Sequence, residues 1–322
     1  MTDGRSARRV YVTGGNGFLG SSVVAGLAAQ LGGAVELVVS GDLRQPTQPV
    51  DGVIYETADV TQANELLEQL QRHRITTVVH LAAIVNPGRD LTREDEYRVD
   101  VEGTRNVLDA CLATGVQRIV VSSSGAAYGY HADNPEWITE SAPIRGNDSF
   151  SYSHHKRLVE LMLEEARVWH PDLEQVVFRI GTILGEKVNN QITALFEARR
   201  LLRIAGTESP FVFAWVDDVV ACMVRAATEG PAGIFNVAGD GALGVRELAT
   251  MMGKKTLTVP AWVLKLGLWV EKTVGASARG PEQAKFLQFR PVLLNTKLKQ
   301  EFGYTPKYTS RQAFEAWLAS RP

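Results

Sequence analysis

A glycine-rich turn near the start of the chain constrains the fold more than any other feature. It reads Gly14-Gly15-Asn16-Gly17-Phe18-Leu19-Gly20, so its glycines fit GxxGxxG from Gly14 and GxGxxG from Gly15. In either register the backbone bends tightly and approaches a pyrophosphate, which binds at the amino end of the following helix. A glycine match alone is weak, but a predicted strand, Arg9–Thr13, leads into the turn and a predicted helix, Phe18–Leu31, leads out. We therefore predict a dinucleotide-binding turn with contacts from Gly14, Gly17, Phe18, Leu19 and Gly20.

An acidic residue beyond the second predicted strand indicates which dinucleotide is bound. Asp42 lies 22 residues after Gly20, where an acid accepts hydrogen bonds from the adenosine ribose. A carboxylate there repels a 2′-phosphate, so NAD is favoured over NADP, although Arg44 is a candidate phosphate partner. Asp59, beyond the third strand, is either an acceptor for the adenine amine or an N-cap-like loop acid.

Short β-branched runs alternate with longer amphipathic stretches over the first 180 residues. This alternation predicts an α/β fold, a Rossmann-type doubly wound parallel sheet with helices on both faces. We expect residues 1–180 to form mainly the NAD-binding domain and residues 181–322 mainly a smaller C-terminal substrate lobe, with segments that return to the sheet. The further strands predicted are Val35–Val39, Val53–Thr57, Thr77–Leu81, Arg118–Ser122 and Gln175–Arg179, and the further helices include Gln62–His73, Val99–Ala113, Ser151–Trp169 and Gln191–Leu202.

The composition excludes several classes of protein. Basic and acidic side chains nearly balance, 34 against 36, and no long basic run occurs, so no nucleic-acid partner is predicted. The two cysteines, Cys111 and Cys222, have no CxxC or histidine spacing, which predicts buried free thiols and no metal site. The most apolar stretch, 260–270, is too short to span a bilayer. With no signal peptide apparent at the amino terminus, these features predict a cytoplasmic protein.

A tyrosine and a lysine four residues apart predict the chemistry. Tyr152 and Lys156 fall on one face of the predicted helix Ser151–Trp169. A tyrosine is normally too weak an acid to act as a base at neutral pH, but a neighbouring ammonium favours the phenolate. Ser124 ends the fifth strand at the carboxyl edge of the sheet, where such folds bind ligands. These three residues predict hydride transfer at a carbon whose oxygen is bound by Ser124 and exchanges its proton with Tyr152.

The order of these motifs resembles that of the extended short-chain dehydrogenase/reductases, the NAD-dependent epimerase/dehydratase family. The resemblance runs nearly end to end, and it implies a homodimer formed through the helices Val99–Ala113 and Ser151–Trp169. It also implies that Lys156 holds the nicotinamide ribose. The motifs that carry it are Thr13–Gly20, His80–Ala83, Gly103-Thr104, Ser122–Ser124, Tyr128-Gly129, Tyr152–Lys156, Val216–Asp218 and the tail Asn295–Pro306. The implied cofactor-binding residues are Val60, Leu81, Ala82, Ala83, Ser122, Tyr152, Lys156, Ile180 and Thr182, together with Asp42 and Asp59.

The chain departs from its relatives at the substrate side. Sugar-nucleotide dehydratases carry Asp-Glu where this chain has Gly125 and Ala126, so dehydration is disfavoured. Sugar-nucleotide epimerases place an arginine near the position of Phe211 and a histidine at that of Trp215. The pocket thus lacks a cation expected to bind a diphosphate, unless Arg199, Arg200 or Arg203 replaces it. Asp100 stands where relatives commonly have Asn.

The candidate substrate residues are therefore Ser124, Gly125, Ala126, Phe211 and Trp215. Aromatic residues of the lobe either pack in its core or form an apolar wall for the substrate. His154 and His155, which point away from the catalytic face, are interpreted as surface or packing residues, and His80 as structural.

Three functions fit these residues. The leading interpretation is an NAD-dependent oxidoreductase acting on a secondary alcohol or ketone, with a substrate that is apolar or at least not a nucleotide. The alternative is a sugar-nucleotide epimerase that uses NAD transiently. A regulator that senses NAD without catalysis is the third, and the Ser124, Tyr152 and Lys156 set argues against it.

Overall fold

The computed structural model of the protein describes residues 7–85, 91–186, 188, 191–273 and 284–321. The strands are β1 (Arg8–Thr13), β2 (Val35–Asp42), β3 (Val53–Thr57), β4 (Thr77–His80), β5 (Arg118–Ser124), β6 (Glu174–Ile180), β7 (Thr182–Leu184), β8 (Arg200–Ile204), β9 (Phe213–Trp215), β10 (Gly233–Val237) and β11 (Lys255–Val259). The helices are α1 (Phe18–Ala28), α2 (Ala63–Arg72), α3 (Arg93–Tyr97), α4 (Gly103–Thr114), α5 (Ser151–Trp169), α6 (Gln191–Glu197), α7 (Val216–Thr228), α8 (Val245–Met251), α9 (Ala261–Thr273), α10 (Ala284–Gln288), α11 (Thr296–Gln300) and α12 (Ser310–Ala319).

Seven strands form one parallel sheet in the order β10-β6-β5-β4-β1-β2-β3. The order reverses between β1 and β4, which opens a crevice at the carboxyl ends of these strands, where ligands bind in such folds. The predicted α/β class with a Rossmann-type parallel sheet is confirmed. Strand β10 joins the sheet beside β6, so a late segment of the chain does return to it.

Two apolar layers cover the faces of this sheet, which is why its strands read as continuous apolar runs. On one face α1 and α7 pack through residues such as Val23, Leu27 and Met223. On the other face α2, α4 and α5 pack through residues such as Leu66, Val107 and Leu163.

A third apolar cluster lies outside the large sheet, around the short parallel pair β7 and β9. Phe196, Phe213, Phe314 and Trp317 are its fully buried aromatic residues. The tail is held to this region by Asp218 in α7. The Asp218 carboxylate accepts hydrogen bonds from the Tyr304 hydroxyl at 2.7 Å and from the backbone nitrogens of Lys307 and Tyr308 at 2.9 and 3.2 Å.

Several predicted boundaries were wrong by a few residues. Strand β2 runs to Asp42 rather than Val39, so the acid is the last residue of the strand. The predicted helix Gln191–Leu202 ends at Glu197, because the residues from Arg200 onward pair with β11. Between α3 and α4 the helix passes through a π-helical segment, Arg98–Glu102, which sequence periodicity did not reveal.

Candidate active site

At two positions of the glycine turn, neighbouring backbone atoms leave no room for a side chain. Gly14 has φ of +66°, and a Cβ there would lie 2.8 Å from the backbone nitrogen and Cα of Ala82. A Cβ on Gly20 would overlap the carbonyl oxygen of Gly14, so helix α1 meets the turn backbone against backbone. A Cβ on Gly17 would have only the Gly14 oxygen, at 3.2 Å, and the Arg44 guanidinium, at 3.9 Å, within 4 Å. The turn is therefore a backbone-lined cradle at the amino end of α1, which fits a pyrophosphate group.

Asp42 fastens this turn to the end of β2. Its carboxylate accepts hydrogen bonds from the backbone nitrogens of Asn16 at 3.1 Å and Arg44 at 2.9 Å. The Asn16 side chain in turn accepts from Ser40 at 2.9 Å and donates to the Arg44 carbonyl at 2.6 Å. Asp42 is buried, whereas the Arg44 side chain is largely exposed beside it. The acid thus stands next to the cradle, and the Nε of Arg44 lies 3.6 Å from its Oδ1.

His80 links the turn to the segment that follows β4. Burial, aided by the charge of Lys156, lowers the pKa of His80 to about 3, so the imidazole is neutral. Its Nδ1 lies 2.7 Å from the Thr13 hydroxyl and its Nε2 lies 2.9 Å from the Thr104 hydroxyl. Because Thr104 donates its proton to the Asp100 carbonyl at 2.6 Å, it must accept from Nε2, which leaves Nδ1 to accept from Thr13. These hydrogen bonds fit the predicted structural role of His80 and place the proton of its ring on Nε2.

The backbone after β4 is held at both of its ends. Thr13 accepts hydrogen bonds from the nitrogens of Leu81 at 3.2 Å and Ala82 at 3.4 Å. Two residues further on, the nitrogen of Ile84 donates to Asp100 at 2.8 Å. The segment that carries Leu81, Ala82 and Ala83 therefore lies beside Gly14 as a fixed wall of the crevice.

Asp100 also binds the helix that carries Tyr152. Nδ1 of His155 donates to the second oxygen of Asp100 at 3.1 Å, and both side chains are almost fully buried. The ring of Tyr97 packs edge-on against that of His155 at 5.7 Å. His155 is thus a packing residue, as one of the two predicted roles had it, whereas His154 faces Asp148 nearer the surface.

Ser124, Tyr152 and Lys156 come together at the carboxyl end of β5. The Lys156 ammonium donates to the Ser122 carbonyl at 2.9 Å and lies 5.7 Å from the centre of the Tyr152 ring. Ser124 ends β5 and accepts a hydrogen bond from the nitrogen of Ala126 at 3.1 Å. The hydroxyl of Ser153, next to Tyr152, donates to the Ala126 carbonyl at 2.7 Å, which ties the start of α5 to the turn after Ser124.

A buried ionic network that the sequence did not reveal supports this turn from behind. Arg179 in β6 and Glu160 in α5 form a bidentate ion pair with both side chains buried. Glu160 also accepts from the hydroxyl of Ser123, and Arg179 donates to the Tyr128 hydroxyl at 2.9 Å. Because the two charges lie 19 residues apart on different elements, only the fold brings them together. They fix α5 to β5 and β6 directly beside Ser124.

The other predicted cofactor residues line the same edge of the sheet or flank it. Asp59 accepts from the nitrogen and hydroxyl of Thr61 at 2.9 and 2.8 Å, which fits the alternative of a loop acid. It does not cap α2, whose N-cap is Gln62. Val60 is buried against α4, and its carbonyl accepts from Asn106 at 2.9 Å. Ile180 ends β6 opposite Ser124, and Thr182 begins β7.

On the substrate side, two of the predicted residues, Phe211 and Trp215, lie in the aromatic core of the lobe. Phe211 stacks on Phe213 at 5.7 Å between ring centres, and Trp215 packs on Tyr308 at 5.2 Å. Gly125 and Ala126 are buried, with Leu293 beside Gly125.

A cation that the sequence did not indicate covers the other face of Phe211. The guanidinium of Arg290 lies 3.8 Å from the centre of the Phe211 ring. Its Nη1 donates to the carbonyl and hydroxyl of Ser209 at 2.8 and 3.0 Å, while Nε is buried without a partner. Burial lowers the pKa of Arg290 to about 9. Arg203, one of the predicted replacements for the missing cation, instead pairs with Glu208 at 2.7 Å.

Aromatic rings surround the approach to Tyr152. Phe150 lies 6.4 Å from Tyr152 between ring centres, 5.7 Å from Tyr130 and 5.8 Å from Phe286. Tyr130 and Phe286 close the cluster at 5.1 Å. The ring of Tyr152 therefore lies at one side of an aromatic cluster formed by Tyr130, Phe150 and Phe286.

Comparison with known proteins agrees with this arrangement. The sequence profile of the NAD dependent epimerase/dehydratase family matches residues 10–238. The UDP-glucose 4-epimerase of Azospirillum brasilense is 35% identical over 191 residues, which cover 58% of this chain and 52% of that protein. The 3 beta-hydroxysteroid dehydrogenase type 7 of Mus musculus is 32% identical over 163 residues, which cover 48% and 43%.

A solved structure of the same fold is that of the Bordetella bronchiseptica enzyme WbmG in complex with NAD and UDP. It has a TM-score of 0.73 and 22% sequence identity, with coverage of 99% of this chain and 96% of that chain. The family profile spans well over half of the chain, from β1 to the end of β10. It confirms both the resemblance seen in the motifs and NAD as the cofactor. The protein therefore belongs to the NAD dependent epimerase/dehydratase family and is an NAD-dependent enzyme.

Proposed function

We propose that this enzyme transfers hydride at a secondary alcohol or ketone through Ser124, Tyr152 and Lys156. The placement of Lys156 carries the proposal, because its ammonium is fixed to the Ser122 carbonyl and lies 5.7 Å from the Tyr152 ring. That position lets a positive charge stabilise the Tyr152 phenolate next to the strand end that carries Ser124. A pair on a helix surface would lack both the strand-end partner and the serine.

Each residue has a distinct part in the reaction. Ser124 donates a hydrogen bond to the oxygen of the reacting carbon and orients it. Tyr152 takes the proton of the alcohol in oxidation and returns it in reduction. Lys156 stabilises the phenolate and hydrogen-bonds the cofactor ribose. NAD, when bound, accepts the hydride from the carbon or supplies it. The glycine cradle, Asp42 and the wall Leu81–Ala83 are the groups that would hold it.

An apolar substrate is supported by the rings that flank Tyr152. Tyr130, Phe150 and Phe286 contact one another beside the catalytic ring, and a flat hydrocarbon packs well on such surfaces. The partial similarity to a steroid dehydrogenase points in the same direction. In this proposal residues 1–180 mainly bind NAD, and residues 181–322 mainly form the substrate lobe. The substrate would contact Ser124, Gly125 and Ala126, with Phe211 and Trp215 behind it.

Sugar-nucleotide epimerisation is the second candidate, and Arg290 favours it. A half-buried guanidinium without a carboxylate partner in the described part of the chain is costly. An anionic group of a substrate would supply the missing partner. The partial similarity to a UDP-glucose 4-epimerase adds support. In that reaction the hydride returns to the same carbon, so no reduced cofactor is released.

Two variants test the proposed chemistry. Tyr152→Phe should lower turnover by roughly 10²–10⁴-fold, since only the proton-transfer hydroxyl is lost, and should keep NADH binding. Lys156→Met should impair both turnover and NADH binding. Tyr55→Phe, which removes a hydroxyl that accepts from the Val50 nitrogen at the edge strand β3, is the matched control and should change neither. Turnover near wild type in Tyr152→Phe would refute the mechanism.

The two candidate reactions differ in the fate of the cofactor. A dehydrogenase mixed with NAD and a secondary alcohol releases NADH in proportion to product, which is read at 340 nm. An epimerase converts its substrate without net NADH. A panel of sterols, aliphatic ketones and UDP-sugars, assayed for both NADH and stereochemical change, therefore separates them.

We also propose that the enzyme is a homodimer through α4 and α5. Leu161, Val168 and Trp169 are exposed on α5, and Leu161 and Val168 are seven residues apart on one face. Burial of such residues in a helix-to-helix interface would be favourable. Light scattering of wild type and Leu161→Glu should show a dimer and a monomer, respectively, and a wild-type monomer would refute the proposal.

A further inference from the structure

Helix α9 presents an apolar face to solvent. Trp262, Leu266 and Trp269 follow one another at spacings of four and three residues, so they lie on the same side of the helix. Their side chains are 69%, 54% and 55% exposed, and the neighbouring Val263 is 38% exposed. Large apolar residues exposed together on a helix mark an interaction surface. We call the surface formed by Trp262, Leu266 and Trp269 the α9 face.

The charges around this face are positive. Lys265 is exposed at its edge, one residue before Leu266. Strand β11, which leads through Pro260 into α9, begins with the exposed Lys255, paired in register with the exposed Arg200 of β8. From Met252 to Thr273, the end of α9, the sequence has four lysines and one acidic residue, Glu271. The α9 face therefore complements an anionic surface.

The exposed residues of α5 provide a contrast within the same molecule. Leu161, Val168 and Trp169 are also exposed, but Glu164 and Glu165 lie exposed between them. An anionic surface would repel this patch. The two faces thus suit different partners, although both are apolar.

We propose that the α9 face docks on a membrane surface that contains anionic phospholipid, with α9 lying flat among the headgroups. Tryptophan prefers the boundary between headgroups and acyl chains, and lysines beside it reach the phosphates. The helix has 13 residues, about 20 Å at 1.5 Å per residue, which is shorter than the hydrocarbon core. In the described part of the chain, no helix is long and apolar enough to cross a membrane. The contact is therefore peripheral, and it does not depend on which reaction the enzyme performs.

Vesicle sedimentation tests the proposal with the full chain saturated with NAD. Vesicles of phosphatidylcholine with phosphatidylglycerol should bind the protein and shift tryptophan emission to shorter wavelength, and vesicles of phosphatidylcholine alone should bind it much more weakly. The double variant Trp262→Ser/Trp269→Ser should lose the binding and the shift. Lys255→Gln and Lys265→Gln should each weaken binding about five-fold. Trp137→Ser, which removes an exposed tryptophan outside both α5 and α9, is the matched control and should bind like wild type.

Each other occupant of the face gives a different result. If the wild-type protein binds neither kind of vesicle, the proposal is wrong. The proposal is also wrong if the double variant changes only the molar mass in solution, because the face would then bind a second copy of the chain. It is equally wrong if the double variant changes only KM for a substrate. Equal binding to both vesicles, unaffected by the lysine changes, would also overturn it. NADH binding by each variant verifies that it is folded.

Discussion

His155 donates a hydrogen bond to Asp100 at 3.1 Å in a place where both side chains are almost fully buried. The same carboxylate accepts from the nitrogen of Ile84, so one residue joins helix α5, which carries Tyr152 and Lys156, to the segment after β4. Asp100 lies in the π-helical segment before α4, a type of irregularity that is frequent at functional sites. An acid satisfies two donors here, which accounts for its presence at this position.

Removal of the Asp100 carboxylate should lower stability and NADH affinity together. In Asp100→Ala the nitrogen of Ile84 and the His155 ring lose their partner, and each buried group left unpaired costs roughly 1–3 kcal/mol. Asp100→Asn should cost less, because its amide oxygen still accepts from Ile84. Urea unfolding and NADH titration measure both effects. Asp109→Ala, at an exposed position of α4, is the control, and the role assigned to Asp100 fails if both alanine variants behave like wild type.

Cofactor preference should depend on Asp42. Wild type should bind NADH more tightly than NADPH, since the carboxylate repels a 2′-phosphate beside the glycine cradle. Asp42→Asn removes the charge and retains an oxygen that accepts from one of the two backbone nitrogens, so it should narrow the difference about ten-fold. Asp59→Asn should leave the difference unchanged. Nicotinamide fluorescence titrations measure all affinities, and tighter NADPH binding by wild type would point instead to Arg44 as a phosphate partner.

The buried His80 should make the protein less stable in acid. The unfolded chain takes up a proton at His80 near pH 6.5, whereas the folded chain does so only near pH 3. Between these values the unfolded state binds one more proton than the folded state. Protonation of His80 therefore lowers the free energy of unfolding as the pH falls, by at most about 1.4 kcal/mol per pH unit. Above pH 6.5 His80 is neutral in both states, and this loss of stability is absent. His80→Gln should remove this part of the pH dependence.

An independent measurement avoids reliance on that variant. The ring protons of His80, followed by NMR in wild type, should not shift between pH 8 and pH 4. A titration near pH 6.5 would show that the ring is accessible and that the chain of hydrogen bonds from Thr13 to Thr104 is not maintained.

The sequence revealed local features better than distant pairings. Helix α5 was predicted from Ser151 to Trp169 as observed, because its apolar period and its Tyr152 to Lys156 spacing are both local. The first three residues of strand β8, Arg200–Leu202, were read as helix, because the pairing of β8 with β11 joins residues 55 positions apart, as in Arg200 and Lys255. Contacts between residues far apart in the sequence were not predicted at the site for the same reason. Neither the Glu160 to Arg179 pair nor the position of Arg290 over Phe211 follows from spacing, since each depends on how elements pack.

Arg290 should decide whether the substrate is a nucleotide. It is a cation that stands beside Phe211, where an epimerase would bind a diphosphate, but a diphosphate needs several charged or amide partners and the surrounding residues are aromatic. We therefore expect UDP to bind with a Kd near or above the millimolar range by calorimetry with NAD present. UDP-glucose and UDP-galactose should not be interconverted.

Replacement of Arg290 tests whether its charge contributes to UDP binding. Arg290→Met keeps an unbranched apolar stem over Phe211 and removes the charge, so any UDP binding that exists should fall about ten- to a hundredfold, the effect of one lost charge-assisted contact of roughly 1.5–3 kcal/mol. Arg246→Met, at an exposed position of α8, should leave UDP binding unchanged. Oxidation of an apolar alcohol should survive Arg290→Met if Arg290 serves only to pack on Phe211. Micromolar binding of UDP by wild type, lost in Arg290→Met, would instead establish the epimerase candidate, because a half-buried guanidinium would then have found its anionic partner in the substrate.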